Sequence, residues 1–111
     1  MNKTKDINPI TPAVFYILLA LYGTDRHGYD IMRQIKEDSH GVFTMGPGTL
    51  YGSIDRMMST GLLERLPSEN TRRIYYRLTA KGKKVLQTEV DRISQATQTA
   101  VSKKLKVAFA I

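Results

Sequence analysis

The first sustained apolar run, Ala13 to Leu21, is hydrophobic at nearly every position, whereas the segments after it alternate apolar and polar residues with regular periods. Thr11-Pro12 ahead of that run is a helix-start signal. A threonine oxygen can accept an orphan amide, and proline at the first helical position lacks a donor that would be unpaired anyway. The pattern predicts a first helix to about Tyr22, ended by Gly23 and covered on several sides by its own domain and by a second subunit. From His27-Gly28 a second helix carries Tyr29, Ile31, Met32 and Ile35 toward the core and Arg33, Lys36, Glu37 and Asp38 toward water, stopping at Ser39-His40-Gly41. Val42 to Met45 reads as a short extended piece that pairs with later strands. A third helix opens at Pro47, with Leu50, Ile54, Met57 and Met58 on one face. Gly48, Thr49, Gly52, Asp55, Arg56 and Ser59 form the opposite face, Tyr51 lies at its flank, and Gly61 supplies the left-handed residue that ends the helix.

Leu62 to Leu66 and Arg73 to Thr79 are then two arms of a hairpin. The second alternates, with Ile74, Tyr76 and Leu78 on one side and Arg73, Tyr75 and Arg77 on the other. Pro67 to Arg72 is the polar loop between them. Thr79 caps a last helix predicted from about Ala80 to Phe109, whose residues Leu86, Val90, Ile93, Ala100 and Val107 recur at alternating spacings of three and four, with Thr97 and Lys104 in the same stripe. One solitary helix cannot bury that seam on itself, so a contact between subunits is expected. A basic third helix followed by a β-hairpin with Arg-Arg in its turn is the layout of a winged helix-turn-helix. The predicted fold is mainly α with a small β-hairpin: residues 1–79 a DNA-binding domain with an N-terminal arm over Met1 to Ile10, and 80–111 a dimerisation helix.

At 111 residues the chain buries only a modest core as a monomer. A formal charge of +7 favours polyanionic partners without choosing among them. With no cysteine and two isolated histidines there is no metal constellation, and the five methionines read as core filler. No cofactor is expected. Two lysines before the apolar run give it a superficial likeness to a signal peptide. No small-x-small cleavage site follows, and a bilayer span needs about 20 apolar residues, so a buried helix, a cytoplasmic protein and no membrane partner are expected. No carboxylate pair, activated nucleophile or phosphate loop appears, and Gly46-Pro47-Gly48-Thr49 lacks the lysine and spacing of a Walker motif, which argues against an enzyme.

Four blocks carry a resemblance: His27-Gly28-Tyr29-Asp30-Ile31, Gly46-Pro47-Gly48-Thr49-Leu50-Tyr51, Gly61-Leu62-Leu63, and Arg72 through Thr79 with Lys81-Gly82. In this order and spacing over about residues 11 to 86, the chain resembles the PadR-like transcriptional regulators, and its single C-terminal helix is similar to the shorter branch of that family. The resemblance implies a homodimeric repressor of double-stranded DNA that lets go when a small-molecule effector or stress signal acts. It also implies that effectors act between subunits or on the C-terminal helix, where Phe15, Tyr16, Ile93 and Thr97 line either such a space or, as aromatic and apolar residues there more often do, a plain dimer core.

The candidate DNA contacts are Gly48, Thr49, Tyr51 and Ser53 near the start of the third helix, whose unpaired amides favour an anion, then Arg56, the wing residues Arg72 and Arg73, and Lys83. Lys81, Lys83 and Lys84 oppose the dipole of the last helix, a placement that an adjacent phosphate would relieve. The candidate dimerisation residues are Phe15, Leu18, Leu86, Val90, Ile93, Thr97 and Ala100. Tyr29 is expected in the core, although the resemblance implies that its region approaches the DNA backbone; His27 is expected at the cap of the second helix, and Arg77 flat over its neighbours. Asp55 is unexpected on an outer face: it either pairs with Arg56 or a neighbour, or accepts from a cytosine amino group. Gly52 offers no side chain to the groove, so shape readout carries part of any specificity. The competing reading is a winged helix that binds RNA or a protein.

Overall fold

A computed structural model describes residues 9–67 and 72–108. The expectations for the N-terminal arm, for the tip of the hairpin loop and for Phe109 onward lie outside the described residues. Helix α1 spans Pro12–Leu21, and the Thr11 hydroxyl accepts from the Val14 amide at 3.2 Å. Ile17 and Leu18 are fully buried, and Gly23 leaves the helix at φ 80°. The chain then forms a two-residue strand, β1 (Arg26–His27), where no strand was expected.

Helix α2, Gly28–Asp38, is capped by His27, whose Nδ1 accepts from the Asp30 amide at 3.3 Å. Ile31 and Ile35 enter the core, but Tyr29 is 71% exposed, contrary to its expected place there. Tyr29 is two positions before Ile31, which on a helix turns it to the far side. His40 (φ 53°) and Gly41 (φ 78°) turn the chain out of α2. Val42 to Met45 is not a strand. The Ser39 hydroxyl accepts from the Phe43 amide at 3.0 Å and donates to the Phe43 carbonyl at 2.9 Å, so the groups that would have joined a sheet are already satisfied locally.

Helix α3, Pro47–Ser59, buries Leu50, Ser53, Ile54 and Met57. Strands β2 (Leu63–Arg65) and β3 (Tyr75–Leu78) follow, and β3 lies at the centre of a three-stranded antiparallel sheet in the order β1-β3-β2. Arg26 faces Tyr76 across one edge and Leu63 faces Leu78 across the other. Alternation along β3 holds: Tyr76 and Leu78 are buried while Arg77 points to water. The third strand therefore comes from the segment before α2.

Helix α4 spans Ala80–Ser102. Thr79 joins it to the sheet: its hydroxyl accepts from the Gly82 amide at 3.0 Å and donates to the Gly61 carbonyl at 2.5 Å. Gly82 is needed for close packing, since a Cβ there would sit 2.2 Å from the Leu62 carbonyl oxygen. The helix stops short of the predicted Phe109. Lys104 adopts φ 70°, its amide reaches the Val101 carbonyl at 2.8 Å, and the Leu105 amide reaches Ala100 at 3.0 Å. That is a Schellman termination with lysine in the left-handed place usually held by glycine, which removes Val107 from the helical stripe. Among the described residues the result is a winged helix of four helices and one small sheet, with α1, α2 and α3 packed around a single core.

Candidate nucleic-acid interface

The start of α2, the flank of α3 and the base of the wing converge on one cleft. Its volume is about 320 Å³, and His27, Gly28, Tyr29, Tyr51, Arg72, Arg73, Ile74 and Tyr76 line it. Tyr51 lies across Gly28 so closely that a Cβ at that glycine would fall 2.2 Å from the phenolic oxygen. Tyr51 is nevertheless 44% exposed, so the residue is both braced against Gly28 and open to the cleft. Burial raises the Tyr76 pKa, and the nearby Tyr51 adds to the rise; Arg65 opposes it and the Asp55 carboxylate reinforces it. The Tyr76 hydroxyl is therefore a neutral group at the cleft wall. His27 meets Tyr75 edge to face at 5.4 Å, which fixes the imidazole that caps α2.

An arginine–aspartate lattice holds this face in register. Arg26 donates from Nε to the Ala20 carbonyl at 2.7 Å and from Nη1 to Asp30 at 2.9 Å, tying the end of α1 to the start of α2. Arg33 closes on the other Asp30 oxygen. Burial alone would raise the Asp30 pKa, but the hydrogen bonds and charges of Arg26 and Arg33 win and lower it. Arg26 and Asp30 were not foreseen as organisers, although their i,i+4 spacing with opposite charges was a readable signal. Arg77 forms a two-pronged pair with Asp25 at 3.3 and 3.0 Å, so its guanidinium is committed along the sheet edge.

The expected DNA contacts divide. Gly48, Thr49, Tyr51 and Arg56 are exposed on α3, and Arg72 and Arg73 lie at the cleft. Open space surrounds Gly48. Ser53 is only 2% exposed, and its hydroxyl sits 3.4 Å from Arg56 Nη2, so it is a packing residue and not a groove contact. Lys83 lies apart from the cleft, in a groove of about 190 Å³ between α1 and α4 with Leu19, Tyr22, Leu86, Gln87 and Val90. Lys81 has an intramolecular role: its Nζ donates to the Thr60 carbonyl at 2.8 Å, where a cation suits the C-terminal end of α3.

The expected dimerisation residues divide in the same way. Leu18 and Leu86 are buried within their own chain, at 0% and 5% exposure, Leu18 with no surface to offer a partner and Leu86 with only the edge that floors the α1–α4 groove. Val90 and Ile93 are exposed on α4, Phe15, Thr97 and Ala100 are partly so, and Tyr22, Val101 and Leu105 extend the same apolar surface. Among the described residues no cluster of His, Cys, Asp or Glu could hold a metal ion, and no helix is long and apolar enough to cross a membrane.

Residues 17–88 match the model of the transcriptional regulator PadR-like family. Among solved structures, a transcriptional regulator from Clostridium thermocellum is 28% identical with a TM-score of 0.70, over 85% of this chain and 90% of that one. A PadR family transcription regulator from Clostridium difficile R20291 is 25% identical with a TM-score of 0.73, over 86% and 100% of the two chains. A PadR-like transcription factor from Bacteroides fragilis is 27% identical with a TM-score of 0.66, over 83% and 88%. No curated protein matches the chain.

Proposed function

Because the chain belongs to the PadR-like family of transcriptional regulators, we propose that it binds double-stranded DNA sequence-specifically, as a homodimeric repressor that a small molecule or stress signal releases. The observation that carries the DNA reading is the shared face on which Tyr51, braced over Gly28, meets Arg72 and Arg73 beside the open surface of α3. A phosphate fits such a cleft: it accepts hydrogen bonds from a phenol and from guanidinium groups, and its charge is favoured by the amides at the start of α2. With α3 in the major groove, Thr49 and Arg56 flank the base edges and the wing arginines grip the adjacent backbone.

Exposed Val90, Ile93 and Val101 on α4 support a dimer through that helix, with Phe15 of α1 contributing. Two subunits joined in this way would set two α3 helices into successive major grooves roughly 34 Å apart. The α1–α4 groove, with an apolar floor of Leu19, Leu86 and Val90 beneath Tyr22 and Lys83, is the place where an effector would alter that spacing. A cytoplasmic site of action follows from this reading.

The test is fluorescence anisotropy of the protein against its own upstream duplex and a scrambled duplex at two salt concentrations. Tighter binding to the native duplex, with affinity falling about 10³- to 10⁵-fold between low and moderate salt for 6–10 phosphate contacts, is expected. Absence of binding to any duplex at low salt overturns the DNA reading, and preferential binding to single-stranded RNA replaces it with the RNA reading.

A further inference from the structure

The exposed surface of α3 carries an acid where a DNA-facing surface should repel one. With Leu50, Ser53, Ile54 and Met57 buried, the helical period places Asp55 about 30° from the centre of the opposite, outward face. Asp55 is exposed, and among the described residues its carboxylate forms no ion pair, its charge being felt within the chain at the Tyr76 hydroxyl. The adjacent Arg56 does not neutralise it: that guanidinium turns back toward Ser53 and over Gly52, with Nη1 3.6 Å from where a Cβ of Gly52 would be. The remaining residues near the centre of the face are Gly48, Gly52 and Ser59, and open space surrounds Gly48. The absent side chain at Gly48 lets the start of the helix approach the groove floor, which a carboxylate on a single methylene needs if it is to reach a base.

A carboxylate brought between two phosphate backbones is repelled by both, so a chain that places one there gains from it only through a donor on a base. The major groove offers two amino donors, cytosine N4 and adenine N6. Adenine sets the N7 lone pair beside its amino group, where it repels a carboxylate; cytosine carries no acceptor there. We propose, resting on the DNA reading above, that Asp55 is a specificity-determining residue that accepts a hydrogen bond from the N4 amino group of one cytosine in each half-site and repels duplexes lacking it. Thr49, Tyr51, Arg72 and Arg73 supply affinity, and Asp55 removes affinity wherever the cytosine is absent.

Selection from a randomised duplex library with the wild-type protein, Asp55→Ala and Asp55→Asn tests this. The wild type is expected to enrich one position per half-site for cytosine, Asp55→Ala to lose that preference and no other, and Asp55→Asn to shift it toward adenine, which an amide pairs at N6 and N7. On the selected duplex, replacing that cytosine by 2-pyrimidinone, which lacks the amino group, should weaken the wild type about 5- to 150-fold and leave Asp55→Ala unchanged. On scrambled duplex Asp55→Ala should bind about threefold tighter at 0.1 M salt. An Asp55→Ala selection identical to the wild type's, or an Asp55-dependent position that is not cytosine, overturns the proposal while leaving DNA binding intact. A wild type that binds duplex but selects no sequence overturns both this proposal and the sequence-specific reading above, and one that binds no duplex overturns the DNA reading itself. Circular dichroism of each variant separates loss of fold from loss of readout.

Discussion

Three glycines on the chain's functional half act in opposite senses, although they look alike in the sequence. At Gly82 an added methyl would meet backbone, the Leu62 carbonyl oxygen at 2.2 Å, so Gly82→Ala should push α4 off the hairpin and cost about 1–3 kcal/mol, read from chemical denaturation. Gly48 meets nothing, lies in the first turn of α3, and has no left-handed backbone to preserve. Gly48→Ala should therefore be neutral or stabilise by up to about 1 kcal/mol. On the DNA reading it should weaken duplex binding through crowding at the groove, and that split between stability and affinity marks a site kept small for approach. Gly28 is intermediate: the atoms in the way belong to Tyr51, a side chain that can swing. Gly28→Ala should leave the fold and displace the phenol, so its anisotropy titration should resemble that of Tyr51→Ala.

Between elements, the Arg26–Asp30–Arg33 lattice decides how α1, β1 and α2 meet. The Asp30 pKa is lowered in the folded chain, because the arginine partners outweigh burial. A carboxyl whose folded pKa lies below its unfolded value contributes stability above the unfolded value, near 3.9, and loses it as pH falls through the folded one. Asp30→Asn should thus cost about 1 kcal/mol at neutral pH and converge with the wild type as acid protonates the folded carboxyl, as urea midpoints followed down in pH would show. The wing obeys a different rule, because guanidinium groups that neutralise phosphates act on affinity through counterion release. Replacing Arg72 and Arg73 together by alanine should weaken binding to every duplex and flatten the salt dependence by about two phosphate contacts. An unchanged slope would take the wing out of the interface.

At the scale of the whole molecule, α4 extends beyond the core that Leu86 anchors and leaves Val90, Ile93 and Val101 exposed, with Leu105 exposed just past its end. A dimer would bury them and would set the distance between the two α3 helices. Ile93→Asp is expected to shift sedimentation toward a monomer, to make thermal stability less dependent on concentration, and to abolish cooperative occupancy of paired half-sites. A variant that stays dimeric would move the interface off α4. Leu18→Asp is no substitute for this experiment, since a residue with 0% exposure reports on the core.

Local chemistry was legible wherever a side chain acts on its own backbone. The Thr11 and Thr79 caps, the helix opening at Pro47, the left-handed exits at Gly23 and Gly61 and the alternation of β3 all follow from neighbours within about four residues. Those short-range rules, with the spacing of the four blocks, were sufficient to identify the winged helix and its family. What the chain decides at a distance was not legible. β1 forms because Arg26 finds Ala20 and Asp30, Val42 to Met45 stays out of the sheet because Ser39 satisfies Phe43 first, and α4 ends at a lysine that local preference would not choose. Periodicity states which residues share a face but not what lies opposite. Thus Leu18, Leu86 and Ser53 were assigned to partners yet are buried in their own chain, while Tyr29 was assigned to the core and stands at the cleft. Burial is a property of packed pairs, and only the assembled fold determines which member of each pair is present.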